Sequence, residues 1–143
     1  MSPASTALAA GLRATVTADV TDADTAQALG TGDVPVLGTP RLLALAEAAT
    51  VAAVAPALAP GQTTVGIEVS LEHSRAAPVG ACVEVRAELT EIDGRRLVFM
   101  VVGYLTGDAA PGDRDDAVIG GGTVQRLLVD RDRFLARAGL TPP

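Results

Sequence analysis

A chain of 143 residues and 14.4 kDa has room for one domain and one core. Aromatic residues make up only 2% and Trp is absent, so its 48% of apolar residues must pack through Ala, Val and Leu. All eleven basic residues are Arg, which excludes lysine Schiff-base chemistry, and a net charge of −6 argues against nucleic acid, whose binding rests on clustered cations.

A single cysteine, Cys82, cannot form an internal disulfide, and a single histidine, His73, cannot anchor a multi-histidine metal site. Both point to a reducing cytoplasm and no metal. The opening MSPASTALAA lacks the basic region of a signal peptide. Residues 1–12 read as a flexible tail ahead of a single domain over 13–143.

In chain order, residues 14–20 alternate as a short half-buried strand, and 21–38 are polar and Gly-rich. Thr39 as N-cap and Pro40 as first helical residue then open an Ala-rich helix that should end near Pro56. The stretch 42–59 is as long as a membrane span, but it carries Glu47, Thr50 and Pro56. A carboxylate at a bilayer centre costs about 2.5–3.5 kcal/mol. The segment therefore reads as the buried helix of a soluble protein, with no membrane partner.

Val65, Ile67, Val69 and Leu71 predict a strand with one apolar face, and Val83, Val85, Ala87 and Leu89 predict another. Asp93-Gly94 signals a hairpin into residues 95–106, which are apolar on both faces and so expected to meet water on neither. An acidic loop over 107–116 leads to a last strand over 118–129, entered through Gly120, Gly121 and Gly122. Asp130 caps a short helix ending near Ala138. One long apolar helix among five strands must be covered on most sides. The expected class is α+β, a hot-dog fold with a curved antiparallel sheet wrapped around the helix. Such a sheet leaves one edge open, which a homodimer closes.

Glu47 is the most informative position. Its helical neighbours Leu43, Ala44, Thr50 and Val51 form no polar stripe. An unpartnered carboxylate out of water costs several kcal/mol, so a cavity is favoured over a solvated face or an Arg pair. Thr39 lies eight residues earlier, about 12 Å along the axis, too far to touch Glu47 but able to line the same cavity. His73 at a strand end reads as readily as an exposed histidine. Cys82 reads as core filling, the acidic loop lacks calcium-loop spacing, and no helix follows the three glycines as a dinucleotide fingerprint requires.

The succession Thr39-Pro40, Glu47-Ala48-Ala49, Thr64-Val65-Gly66, His73, Pro78-Val79-Gly80, Asp93-Gly94-Arg95-Arg96-Leu97, Ile119-Gly120, Gly122-Thr123, Arg126 and Phe134 resembles the fluoroacetyl-CoA thioesterase-like family of hot-dog proteins over residues 14–138. The resemblance implies a homodimeric acyl-CoA thioesterase acting on a small acyl thioester without metal or further cofactor. It matches Thr39, Glu47 and His73 to the catalytic residues and sets Gly66 beside the thioester. Glu47 is then the general base on water or the attacking carboxylate, His73 orients or protonates, and Thr39 holds the acyl carbonyl or the carboxylate. Backbone N–H groups near Gly66 or at the helix start would hold the oxyanion. Arg75, Arg95 and Arg96 are the candidates for the phosphates of coenzyme A.

Three departures stand out. Ala77 replaces a family Thr, Val124 replaces a family His, and residues 30–38 lack the aromatic lid of the fluoroacetate-specific member, so fluoroacetyl-CoA is not the expected substrate. The alternatives are a non-catalytic acyl-ligand binding protein and a hot-dog hydratase or dehydratase. The latter needs an acid close to its histidine, whereas Glu72 points to the opposite face of the strand.

Overall fold

Alternating aliphatic residues build the inner face of one sheet. The computed structural model describes residues 6–107, 110, 112 and 117–140, so the acidic loop expected over 107–116 lies largely outside them. Strands β1 (Arg13–Asp19), β2 (Gln62–His73), β3 (Cys82–Asp93), β4 (Arg96–Thr106) and β5 (Val118–Asp130) form an antiparallel sheet in the order β1-β3-β4-β5-β2. Val83, Val85, Ala87 and Leu89 of β3 and Leu97, Phe99 and Val101 of β4 are buried on it. Helix α2 (Thr39–Val54) lies against this face, chiefly over β1 and β3, and buries Leu42, Leu45, Ala46, Ala49, Ala53 and Val54. Ala46, Ala49 and Ala53 fall on one side of the helix, and their small side chains let its backbone approach the sheet closely. By length and composition this helix, extended by a 3-10 turn over Ala55–Ala57, resembles a membrane span, but in this fold it is the core helix.

The start of α2 differs from expectation. Gly38 is the N-cap, Thr39 is already helical, and Pro40 stands one position further in, where the N–H still has no helical partner. Space decides this: a Cβ on Gly38 would meet Leu29 Cδ1 at 2.8 Å and the Ala26 backbone at 3.2 Å. The pressing segment is α1 (Ala26–Leu29), a four-residue helix inside the stretch read as irregular and too short to show a period. Its cap, Thr25, accepts from the Ala28 N–H at 3.1 Å. Freed from capping, the Thr39 hydroxyl is available for other work.

Other departures are local. The tail expected over 1–12 is fastened in its last part: Leu8 and Leu12 pack on the core, and the Gly11 N–H donates to the Leu89 carbonyl at 2.7 Å. In β2 the register shifts between Gly66 and Glu68, so Ile67 leaves the apolar face and is 43% exposed. The outer face of β4 is open in this chain, with Met100 57% exposed, because the sheet covers its helix on one side only. The hairpin after β3 turns on Gly94 and Arg95, with Gly94 at φ +59°.

Candidate active site

Two clusters of polar side chains lie between α2 and β2. The first joins the start of the helix to the end of the strand: Thr39 Oγ1 lies 2.8 Å from His73 Nδ1. His73 is carried there by its pairing with Gly120, and side chains at Gly120 and Gly122 would run into the carbonyl oxygens of Glu72 and Ser70. The three glycines thus let β5 pass tightly behind the histidine. His73 Nε2 is buried and has no hydrogen-bond partner. Burial lowers the pKa of His73 below its ordinary value of 6.5, and a backbone contact with Arg75 opposes the shift. The ring is therefore neutral at pH 7. Whether the Thr39 hydroxyl or the Nδ1–H donates in this pair is set by the tautomer of the ring.

The second cluster is centred on Glu47. Arg126 of β5 donates from Nη1 to Glu47 Oε2 at 2.9 Å, from Nε to Thr64 Oγ1 at 2.9 Å and from Nη2 to the Thr64 carbonyl at 3.1 Å. The Arg126 side chain is 8% exposed and that of Glu47 33%. The acid expected to be deeply buried is thus half-buried and ion-paired, the arrangement the sequence reading ranked second. Gly66, opposite Arg126 in the strand register, has no room for a side chain, since a Cβ there would press on the Glu47 carboxylate. Arg126 entered the sequence reading only as one residue of a family pattern. The usable signal was a charge on the apolar parity of β5, two residues beyond buried Val124.

Seven residues of strand separate Gly66 from His73, roughly 20 Å at the usual rise. Glu47, held at Gly66, and the Thr39–His73 pair are therefore brought to one side of the sheet but not together within one chain. The Thr39 hydroxyl is within hydrogen-bond distance of the His73 ring. Arg75 shares a cavity wall with Thr39 and His73. Arg95 lies in the hairpin turn, and Arg96 donates to Gln125 at 2.6 Å from the outer parity of β4, apart from both clusters. Ala77 and Val124 are fully buried in the core. Among the described residues no group of acidic, His and Cys side chains is disposed to hold a metal.

The histidine carries a pH prediction. A His73 that acts in its neutral form predicts activity flat from neutral to alkaline pH and falling on acidification through a pKa below 6.5. A pH profile of kcat/KM checks this. A decline as pH rises from 6 to 8 would contradict a neutral imidazole.

The family described as fluoroacetyl-CoA-specific thioesterase, FlK, matches residues 20–132. A curated fluoroacetyl-CoA thioesterase of Streptantibioticus cattleyicolor is 34% identical over 108 residues, 76% of this chain and 71% of that protein. Crystal structures of the fluoroacetyl-CoA thioesterase FlK superpose with TM-scores of 0.75–0.80; one form, 30% identical with a TM-score of 0.80, covers 96% of this chain and all of its own. A mutant form of it was solved in complex with acetyl-CoA. A thioesterase-superfamily protein of Thermus thermophilus, 23% identical over 92% of this chain and 90% of its own, shares the fold with a TM-score of 0.80. The chain belongs to the fluoroacetyl-CoA-specific thioesterase family of hot-dog proteins.

Proposed function

We propose that this acyl-CoA thioesterase works through a site shared by two copies of the chain. Glu47 of one copy acts on water or attacks directly, and the Thr39–His73 pair of the other meets the same thioester. The observation that carries the reading is the separation of the two clusters along β2, each anchored and each aimed to the same side. β2 is one of the two edge strands of the sheet, with Ile67 of the strand and Val51 of α2 exposed nearby. A second β2 running antiparallel along that edge reverses the strand direction, so the His73 end of one copy comes alongside the Gly66 half of the other.

In hydrolysis, water adds to the thioester carbonyl while the Glu47 carboxylate takes its proton. Loss of the C–S bond then releases an acid and a thiol that must gain a proton. In this reading His73 gives a hydrogen bond to the developing oxyanion or the departing sulfur. Thr39, hydrogen-bonded to Nδ1, holds the orientation of the ring, and Arg75 on the adjoining wall attracts the phosphates of coenzyme A. Arg95 and Arg96, away from both clusters, are the weaker candidates for that role. Cys82 is unpaired, in keeping with a reducing cytoplasm.

Thiol release from acetyl-CoA and longer acyl-CoAs tests the proposal, with the protein running in solution at twice 14.4 kDa. Arg75→Glu should raise KM about tenfold with kcat largely kept. A tightly bound acyl-CoA that is never hydrolysed would favour the binding-protein alternative instead.

A further inference from the structure

The outer face of the sheet carries a pattern that catalysis does not use. β4, expected from its sequence to meet water on neither side, turns Val98, Met100 and Val102 away from α2, and Met100 is 57% exposed. The register sets two rows of outward side chains across the strands, Thr15–Arg86–Val102–Gly121 and Arg13–Glu88–Met100–Thr123. Beside β4 the missing side chain of Gly121 leaves a hollow of about 350 Å³ bordered by Val102, Val118 and Thr123. A Cβ on Gly121 would meet the Val101 carbonyl oxygen at 2.6 Å, so the hollow stays open.

We infer that this face docks a second copy of the chain, face to face, about a two-fold axis that crosses β4 between Met100 and Val102. Such an axis lays each row on the other row of the second copy. Met100 then meets the second copy's Val102, Thr123 enters the hollow at its Gly121, and Glu88 faces its Arg86. The side chains of Arg86 and Glu88 stay 50% and 39% exposed although paired with Glu84 and Arg13, so both can reach across. Opposite charges on neighbouring rows make the patch complementary to itself, which favours a copy of the chain over an unrelated partner. Strands about 4.8 Å apart, rising about 3.4 Å per residue, give the five-stranded face roughly 800 Å², the area each partner brings to a stable interface.

The edge-paired dimer proposed above has its own two-fold axis, normal to the sheet. The two rows continue to Glu72 and Ser70 of β2, between Gly66 and His73, so the new axis passes close to the middle of the paired edge. Two axes crossing there at right angles close the assembly at four copies, whereas an axis running along β4 would miss the first and build an open ribbon. Closure at four rests on that dimer, but the face does not.

Sedimentation equilibrium of the full chain from roughly 1 to 200 µM tests this. The expected mass rises from twice to four times 14.4 kDa. Met100→Glu, at an exposed position outside both polar clusters, should weaken the association of dimers about 100-fold or more and leave kcat/KM within about twofold of wild type. Circular dichroism checks that its fold is kept. Adding Val102→Arg to Met100→Glu should bring the tetramer back, because each new acid then faces a new guanidinium across the axis. A tetramer untouched by Met100→Glu would overturn the inference, and a double variant as dissociated as the single one would overturn the stated register. A mass fixed at twice 14.4 kDa and unmoved by Met100→Glu would overturn the inference and leave the shared catalytic site intact. A dimer that Met100→Glu splits into monomers would uphold the face and overturn the edge pairing, and monomers throughout would overturn both.

Discussion

An equimolar mixture of Glu47→Gln and His73→Ala proteins is expected to recover about a quarter of wild-type activity, although each alone should lose about 100- to 10,000-fold in kcat. Gln keeps the size of Glu47 and can still accept from Arg126, and Thr50 continues to bond the residue 47 carbonyl at 2.6 Å, so the helix should stay intact. What goes is the carboxylate charge that takes the proton. His73→Ala removes the imidazole hydrogen-bonded to Thr39. In a mixed dimer the intact Glu47 and the intact His73 belong to different copies. They meet in one of the two sites, and half of all dimers are mixed, which gives the quarter. If both groups acted from the same chain, every site in every dimer would carry a defect. Co-expression of the two variants followed by thiol-release assay reads the quarter, and mixed dimers purified through different tags should reach about half. Mixed dimers no more active than the single variants would place both groups on one chain.

The architecture was legible because its signals are periodic and long. Alternation in β3 survives intact, and Val83, Val85, Ala87 and Leu89 are all buried as their parity requires. The helix was visible as an apolar run ending at a proline, and it stops at Val54, before Pro56. Single-residue geometry stayed hidden. Nothing in the spacing announces the bulge that turns Ile67 outward, since a bulge breaks the alternation that would reveal it. The cap moved from Thr39 to Gly38 because α1, far too short for a periodic signal, occupies the space beside Gly38. At the site, Thr39, Glu47 and His73 were all singled out, but their partners were not. The Thr39–His73 bond spans 34 residues and the Glu47–Arg126 pair 79, and only the folded register brings such groups together.

Arg126→Leu is expected to destabilise the protein by about 2–3 kcal/mol and to abolish most of its activity. Arg126 is enclosed and makes three hydrogen bonds, to Glu47, the Thr64 hydroxyl and the Thr64 carbonyl, so it is the clasp that ties α2 to β2 and β5. Its removal leaves the Glu47 carboxylate against Gly66 without a counter-charge. Breaking a fully buried ion pair costs about 3–5 kcal/mol, and the 33% exposure of Glu47 trims that figure, because water replaces part of the lost interaction. A double-mutant cycle separates support from charge balance. Adding Glu47→Gln to Arg126→Leu should restore about 1–2 kcal/mol in denaturant unfolding, since the orphaned charge disappears with its partner, but should restore no turnover. Arg126→Lys keeps the positive charge but not the planar fork that reaches Glu47 and Thr64 at once, so its stability should fall between wild type and Arg126→Leu. Equal stability of the Lys variant and wild type would show that charge alone suffices. Additive stability losses in the cycle would show that Arg126 serves the sheet and not the acid. The carboxylate can wait at the edge of the core for a substrate only while the guanidinium behind it is itself held by Thr64, and the cycle measures that dependence directly.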